Sequence, residues 1–502
     1  MEDVRLRLGD LEDRMRTRLE RLADDDVVPR IWARDHTVWG EDPAEIADRL
    51  GWLETAERSR RELPAILKLA REAGEDGLRH TVLLGMGGSS LAPEVLAATH
   101  GASGLSVMDS THPDAIARLE REIPLRETLF LVSSKSGTTI ETRSHMAHFL
   151  DLVKDPTRFV AITDPNTPLE EAATSLGFRR VLRAPPDVGG RYSALTLFGL
   201  VPAVLAGIDP ESLLASAAVA ADHCGPRTPP GGNPGAVLGT ALGEAALAGR
   251  DKTTVAFGED LAPLGPWLEQ LLAESTGKDG RGILPVDGEP LGPPEVYGDD
   301  RLFLTTPGVE APGPSIELPI RGADDLGWAF FVFEFATAVA GAVLGIHPFD
   351  QPDVQSAKDR TAEVLAAGDI PEEKPGNLDE LLGDVHPGDY LAVQAFVDPG
   401  GRTARRLPEV RTRLRDRLRV ATTLGFGPRY LHSTGQFHKG GPNTGVFLQV
   451  FEDPQEDRAV PGEDFTFGRL IAAQAAGDLA ALRERERRAA RISPEELLSW
   501  EG

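Results

Sequence analysis

The chain contains a single cysteine, Cys224, among 502 residues. One cysteine cannot form an intrachain disulfide, and such sparing use is typical of a reducing cytoplasm. No apolar stretch of the signal-peptide kind follows Met1, and no run of eighteen apolar residues occurs. Because a secretory signal and a membrane span both require such stretches, we expect a cytoplasmic protein without a membrane partner.

Lysine is also scarce, and acidic residues outnumber basic ones. The formal net charge is −26, and only eight of the 53 basic residues are lysines. A field of this sign repels nucleic-acid phosphates and anionic lipid, so neither is expected as a partner. A small anionic substrate would need a local pocket of basic groups or backbone N–H donors. A lysine inside a loop rich in glycine, serine and threonine is therefore of particular interest.

The order of apolar segments predicts an α/β protein. Spacings of three and four residues indicate helices at the N-terminus, and from His80 short apolar strands alternate with helices. Such alternation favours a parallel sheet covered on both faces, and a similar pattern begins after the turn-rich stretch "GPRTPPGGNPG". We expect two doubly wound parallel-sheet domains with extensions at both ends. The predicted parts are a helical segment at 1–76, domains at 77–225 and 236–370, and a C-terminal αβ segment at 371–502.

Two loops in the first domain have the composition of ligand sites. "GMGGSS" follows one predicted strand, and "SSKSGTTIET", Ser133 to Thr142, follows another. Six hydroxyls, a lysine and a glycine at a helix start favour a phosphate monoester, because backbone donors and the helix dipole both attract a dianion. The alternative is a serine- and threonine-rich helix cap. Neither loop has the spacing of a Walker A motif or of G-x-G-x-x-G, so a dinucleotide is not expected.

Three later motifs carry candidate catalytic groups. "VGGRYS" places Arg191 beside two glycines, although a turn with a surface arginine would read the same way. "EQLLAESTGK" places Gln270 and Glu274 on one helix face, and a carboxylate at a helix C-terminus opposes the dipole, which suits a general base. "PFDQPDVQSAK" holds Gln351 and Lys358 around a proline turn. Solvated side chains are the simpler interpretation of the last two motifs.

Taken together, "GMGGSSLAPE", "SSKSGTTIET", "GGRYS", "EQLLAESTGK" and "PFDQPDVQSAK" resemble the motif series of the phosphoglucose isomerases. That family is built from two sugar-isomerase domains, and the five motifs stand in its order across about residues 83 to 360. The whole chain resembles the isomerase half of the bifunctional transaldolase/phosphoglucose isomerases. It has no room for a transaldolase barrel in addition, so that activity is not expected.

The resemblance implies an enzyme that interconverts glucose 6-phosphate and fructose 6-phosphate without a metal or cofactor. It assigns Glu274 as the base that carries a proton through a cis-enediol, Arg191 as the cation that stabilises the enediolate, and Lys358 as a ring-opening group. The remaining matches are substrate-binding residues: Gly88, Ser89, Ser134, Lys135, Ser136, Thr139, Thr142, Gln270 and Gln351.

The ring-opening histidine departs from the family pattern. In the usual bacterial members it lies between the glutamate and the lysine, in a segment like L-H-S-x-G-Q, but this chain has only His347 there. "LHSTGQ" occurs instead at Leu431 to Gln436, after the lysine. Our hypothesis is that this segment was relocated along the chain and that His432 opens the ring. The alternatives are His438, or a structural histidine with water acting at O5.

The resemblance also implies a homodimer, because in the family this histidine reaches the site from the neighbouring subunit. Three other functions remain open from sequence. The enzyme could act on mannose 6-phosphate as well, since epimer choice depends on pocket shape. The chain could also be a non-catalytic phosphosugar-binding regulator, or an inactive partner subunit of a transaldolase.

Overall fold

The computed structural model describes residues 4–367, 370 and 373–501, without the side chains of 354–359. Its N-terminal part is mainly helical, as expected, but it also contributes a short strand to a sheet formed later in the chain. The longest helix buries Leu63, Ile66, Leu69 and Ala73, whose spacing of three and four residues places them on one face. The elements here are β1 (Arg5–Arg7), α1 (Glu12–Asp24), α2 (Val27–Trp32) and α3 (Thr55–Glu75).

The first parallel sheet has the strand order β3-β2-β4-β5-β6. Its central strands are buried along nearly their whole length, which explains their continuous apolar sequences. Local sequence sets the ends of the helices: the Thr167 side chain caps α7, and Gly177 ends it with a positive φ. The elements are β2 (His80–Gly85), α4 (Leu91–Thr99), β3 (Leu105–Met108), α5 (Pro113–Glu122), β4 (Thr128–Ser133), α6 (Ile140–Val153), β5 (Phe159–Thr163), α7 (Pro168–Leu176), β6 (Arg180–Arg183), α8 (Leu197–Leu205) and α9 (Pro210–His223).

The second sheet has the order β1-β10-β9-β7-β8, in which only the pairing of β1 with β10 is antiparallel. Helix α12 has the length and composition of a membrane span, yet 94% of its most apolar window is buried inside the protein. It is therefore the core helix of this part. The elements are α10 (Pro234–Leu247), β7 (Lys252–Ala256), α11 (Gly265–Thr276), β8 (Leu284–Val286), β9 (Arg301–Thr305), β10 (Ser315–Glu317), α12 (Leu326–Leu344) and α13 (Val354–Ala367).

The C-terminal segment forms a third sheet, fully parallel, in the order β12-β11-β13-β14. Phe437 and Phe447 share an apolar cluster with Ala273 of α11, and Phe467 packs into the core of the first sheet. This unit therefore packs against elements of both preceding sheets. Its elements are α14 (Leu378–Gly383), β11 (Tyr390–Phe396), α15 (Arg402–Leu418), β12 (Ala421–Phe426), α16 (Gly435–Gly440), β13 (Gly445–Phe451), α17 (Phe467–Glu484), β14 (Arg488–Ile492) and α18 (Pro494–Ser499).

Close packing of α10 on α12 requires glycine at position 239. A Cβ added there would overlap the carbonyl oxygen of Ala336 and lie 2.8 Å from Cβ of Val339. We expect Gly239→Ala to destabilise the protein by about 1–3 kcal/mol, because the two helices must move apart. Gly74→Ala in α3 is the matched control, since a Cβ there meets nothing within 4 Å. Denaturant unfolding should show a loss for the first variant and no loss for the second; equal values would contradict the packing argument.

Candidate active site

Two glycine turns meet at the carboxyl end of the first sheet. A Cβ on Gly88, in the turn after β2, would overlap the carbonyl of Gly190 and lie 2.9 Å from the backbone nitrogen of Arg191. The Ser133 hydroxyl donates to the carbonyl of Ser89 over 3.1 Å, which ties the ends of β2 and β4 together. The structure thus brings Gly88 and Ser89 against Arg191, although about a hundred residues separate them in sequence.

The hydroxyl-rich loop runs from the end of β4 to the start of α6, as the sequence predicts. The Ser134 hydroxyl accepts from the backbone nitrogen of Gly137 over 3.1 Å and lies 3.1 Å from Oγ1 of Thr139, the residue before the helix. Ser136 Oγ lies 2.9 Å from Oγ1 of Thr138, and Nζ of Lys135 pairs with Asp164. The loop therefore presents several hydroxyls and a cation at a helix N-terminus, where an anion is favoured.

Thr142 lies one turn further along α6 and is buried. Its hydroxyl has no hydrogen-bond partner among the residues that the structure describes. Buried hydroxyls are normally paired with protein or water, so this one is available to a ligand or an ordered water.

Glu274 lies in the last turn of α11, and its side chain is buried. Gln270, one turn earlier, donates from Nε2 to Oε2 of Glu274 over 2.9 Å, as expected for two residues on one helix face. The other carboxylate oxygen, Oε1, lies 3.5 Å from Nη1 of Arg191. The three predicted residues therefore form one buried group in which both carboxylate oxygens are engaged.

The Arg191 guanidinium is held by acceptors on two sides. Nε donates to the Ser275 hydroxyl over 2.7 Å, and Nη2 donates to the carbonyls of Pro348 and Asp350 over 2.8 and 2.9 Å. Nη1 donates to Oε1 of Gln351 over 3.3 Å. The proline turn around residues 348–351 therefore fixes the arginine in place beside Glu274.

Lys278 belongs to this site, although sequence reasoning gave it no role. Its ammonium forms a 2.6 Å ion pair with Asp350 and donates to the carbonyl of His347, so it clamps the proline turn to the end of α11. Burial, together with the nearby charge of Arg191, lowers the pKa of Lys278 to about 8. The rarity of lysine in this chain was the signal that could have drawn attention to it.

His432 ends a short 3-10 turn that follows β12, and this turn lies at the site formed by its own chain. The backbone carbonyl of His432 accepts from Nε2 of Gln270 over 2.8 Å, and a Cβ on Gly87 would lie 2.7 Å from that oxygen. Its ring nitrogen Nε2 lies 2.9 Å from Oε1 of Glu141. The segment that appears displaced along the sequence is thus adjacent to Glu274 in space.

Arg429 fastens this turn to the first domain. Its Nη1 bonds Asp109 over 2.8 Å, and its Nη2 pairs with Glu94 of α4. Its partners come from a chain segment more than 300 residues earlier. An arginine between two carboxylates explains how a turn of the C-terminal unit is held against the first sheet.

His438, the alternative ring-opening residue, lies in a different environment. It is buried in α16, Nδ1 is 3.0 Å from the Tyr390 hydroxyl, and the imidazole packs against Tyr390 and Phe447. Burial lowers its pKa well below the ordinary value, and the charge of Lys439 adds to that effect. A neutral, enclosed imidazole of this kind is a core side chain.

The hydroxyl loop and His432 border one cavity of about 170 Å³. Glu141 also lines it, and this residue was missed from sequence because an acid in the first turn of a helix is already explained by the helix dipole. Glu274 is not among the lining residues; it is connected to the cavity through Gln270 and the His432 turn. The side chain of Lys358 lies outside the described residues. The described lining is Thr138, Thr139, Ile140, Glu141, Thr361, Ala362, Leu431, His432, Gly435, Lys439 and Gln474.

A half-buried pair of acids lies next to this turn. Glu269 of α11 accepts from the Ser433 hydroxyl over 3.4 Å. Burial, together with the neighbouring carboxyl of Asp287, raises the pKa of Glu269 to about 8. Burial also raises the pKa of Asp287 itself to about 6. At neutral pH Glu269 therefore keeps its proton, whereas Asp287 is mainly ionised.

The protein contains two largely parallel sheets, and candidate ligand loops lie at the carboxyl ends of their strands. This is the architecture of a sugar-phosphate isomerase made of sugar-isomerase domains. A family model described as phosphoglucose isomerase matches residues 70–282. A glucose-6-phosphate isomerase of Carboxydothermus hydrogenoformans is 33% identical over 379 residues, covering 68% of this chain and 80% of that protein. The chain belongs to the phosphoglucose isomerase family.

Two further proteins are similar to this chain. A glucose-6-phosphate isomerase of Rubrobacter xylanophilus is 29% identical over 373 residues, covering 60% of this chain and 86% of that protein. The crystal structure of a glucose-6-phosphate isomerase from Chlamydia trachomatis shares the fold, with a TM-score of 0.52 at 20% identity. That alignment covers 68% of this chain and 78% of the other.

The raised pKa of Glu269 predicts a pH-dependent stability. Between its ordinary pKa of 4.5 and the folded value of about 8, the folded protein holds one proton more than the unfolded chain. Stability from this group is therefore present at acid pH and is lost as pH rises towards 8. Because the glutamine of Glu269→Gln cannot titrate, the melting temperature of this variant minus that of the wild type should increase as pH rises from 5 to 8. The exposed Glu295→Gln serves as the control; parallel curves for wild type and Glu269→Gln would contradict the prediction.

Proposed function

We propose that the protein interconverts glucose 6-phosphate and fructose 6-phosphate through a cis-enediol, with Glu274 carrying the proton between C2 and C1. The observation that supports this most strongly is the buried group of Glu274, Gln270 and Arg191 in contact with the His432 turn. Aldose–ketose exchange requires one base near two adjacent carbons and a cation near their oxygens. This group supplies both.

Glu274 has the position of a single base that works on both carbons. Gln270 holds Oε2 by a hydrogen bond, so the carboxylate is oriented before substrate binds. A carboxylate fixed in this way removes the proton from C2 of the aldose, keeps it, and returns it to C1 as the ketose forms. The carbon-bound proton leaves and returns through one residue, so no second base is needed for that transfer. The hydroxyl proton of O2 moves to O1 as the carbonyl shifts from C1 to C2.

Arg191 stabilises the negative charge that develops on the enediolate oxygens. Its guanidinium is anchored by the Ser275 hydroxyl and by carbonyls of the 348–351 turn, so it does not need to reorganise as charge develops. A fixed cation in a buried site is worth far more than one in water. Gln351 bonds the same guanidinium and lies at the exposed mouth of the group.

The hydroxyl loop binds the phosphate. Hydroxyls, backbone N–H groups at the start of α6 and the ammonium of Lys135 together neutralise a dianion inside a protein whose net charge is −26. The assigned phosphate ligands are Ser134, Lys135, Ser136 and Thr139, with Thr142 one turn further; Gly88 and Ser89 approach the sugar from the neighbouring turn.

His432 opens the sugar ring, with Lys358 as the second proton-handling group. Its Nε2 is fixed by Glu141, which orients the imidazole at the edge of the cavity. A histidine held by a carboxylate is a standard arrangement for moving a proton near neutral pH. A homodimer stays a prediction, and the bond from Gln270 to the His432 carbonyl supports a histidine supplied by the same chain.

Replacement of the base tests the proposed reaction. We expect Glu274→Gln to lower the conversion of fructose 6-phosphate to glucose 6-phosphate by ~10³-fold, because the amide cannot accept the carbon-bound proton. The measurement is a coupled assay for glucose 6-phosphate on wild type, Glu274→Gln and the exposed control Glu295→Gln. Activity in neither wild type nor variant would favour a phosphosugar-binding regulator or an inactive subunit.

Replacement of the histidine tests ring opening separately. His432→Ala should lower kcat/KM on fructose 6-phosphate by ~10²-fold, the scale of a lost general acid–base group. On 5-deoxyfructose 6-phosphate, which lacks the oxygen needed to close its ring, the loss should be several times smaller. His438→Asn is the control from the same segment and should leave the ratio of the two rates unchanged. Equal losses on both substrates would remove His432 from the ring-opening step.

A further inference from the structure

Glu141 receives a second hydrogen bond, and its donor comes from the C-terminal unit. Nε2 of Gln474, in α17, donates over 2.8 Å to Oε1 of Glu141, the same oxygen that faces Nε2 of His432 over 2.9 Å. The other end of the Gln474 amide, Oε1, accepts from the Thr111 hydroxyl over 2.8 Å. A continuous chain of hydrogen bonds therefore runs from Thr111 through Gln474 and Glu141 to His432.

The direction of every donor in this chain is fixed by chemistry. An ionised carboxylate can only accept, so the NH₂ end of Gln474 faces Glu141 and its carbonyl end faces Thr111. Thr111 must then donate its hydroxyl proton. By the same reasoning, the proton between Glu141 and His432 belongs to Nε2 of the imidazole. Nδ1, which makes no hydrogen bond to the described residues, is left as the nitrogen that can exchange a proton with the sugar.

The chain is enclosed on all sides. Thr111, Gln474 and Glu141 are buried, and Gln474 also lines the cavity that His432 borders. Removing one member would leave a buried polar group without a partner, which costs more than the bond itself contributes. The arrangement therefore has one stable set of orientations rather than several.

We propose that Gln474 and Thr111 are positioning residues for ring opening. Acting through Glu141, they hold the Nε2–H form of His432 and present Nδ1 to the ring oxygen of the substrate. This inference rests on the proposed isomerase function and adds to it a role for the C-terminal unit, whose helix α17 completes the histidine site. Proton removal by Glu274 does not involve these hydrogen bonds. Isomerisation of a sugar whose ring is already open is therefore independent of Gln474 and Thr111.

The decisive variant is Gln474→Met, which keeps the side-chain volume and removes both ends of the amide. We expect kcat/KM on fructose 6-phosphate to fall about tenfold, part of the 10²–10⁴ that general acid–base catalysis contributes, with less than about a threefold change on 5-deoxyfructose 6-phosphate. Thr111→Val should change the ratio of kcat/KM on the two substrates in the same direction. Thr111→Ser, which keeps the hydroxyl, should have the ratio of the wild type.

Gln449→Met is the matched control. Gln449 is buried on β13, donates to the carbonyl of Ala475 on α17 and accepts from Arg491, so its loss removes a comparable buried amide away from the histidine. It should lower the melting temperature and leave the ratio of the two substrates unchanged. If Gln474→Met does not fold, Thr111→Val and Thr111→Ser test the inference through the same ratio of kcat/KM values.

Two outcomes overturn the inference. Equal losses on both substrates in folded Gln474→Met or Thr111→Val would mean that the chain has a structural role only. A ratio that shifts equally in Gln449→Met would mean that it reports general loosening of α17. Either result leaves the isomerase function standing, provided that the wild type is active. An inactive wild type would instead overturn the proposed function itself.

Discussion

One nitrogen atom, Nε2 of Gln270, joins the two halves of the site. Its two hydrogens serve the carboxylate of Glu274 and the backbone carbonyl of His432, at 2.9 and 2.8 Å. The first bond lies within one helix, whereas the second reaches 162 residues along the chain. Because an amide NH₂ has only these two donors, the position of the histidine turn is set by the same group that orients the base. In the proposed mechanism, the groups for proton transfer and ring opening are thereby held in a fixed relation.

The placement of the turn is reinforced around the end of α11. Gln436 donates to the carbonyl of Gly277 over 2.9 Å, and the backbone nitrogen of Gly280 donates to Gly440 over 2.9 Å. Gly277 has no room for a side chain because Phe437 of α16 lies directly against it. A relocated segment could occupy this place only if the loop after Glu274 remained glycine here. The "STGK" sequence is thus explained partly by packing of α16 and not by catalysis alone.

Much of the fold and part of the site follow from sequence, for a physical reason. Buried parallel strands have continuous apolar runs, and loops at helix starts carry local chemistry, so the alternation from His80 and the cluster at Ser134 to Thr139 are readable without coordinates. The anchoring of Arg191 cannot be predicted in this way. It depends on backbone carbonyls of residues 348–351, and every residue type has a backbone carbonyl. The strand Arg5–Arg7 was missed for a similar reason: three residues are too few for their alternation to indicate a strand, and they are stabilised by the edge of a sheet formed later.

The part of the site that the sequence does not predict is built from hydrogen-bonded residues that are distant in sequence. Glu141, Gln474 and Thr111 are each unremarkable alone: an acid in a first helical turn, a glutamine on an amphipathic helix and a threonine after a strand. Their meaning comes from sharing one enclosed carboxylate oxygen at the point where the C-terminal unit meets the first domain. Buried polar groups are normally matched by a hydrogen-bond partner, because an unpaired one is costly. The third sheet is therefore best understood as part of the catalytic scaffold, since its helix α17 supplies the match that Glu141 requires in order to hold His432.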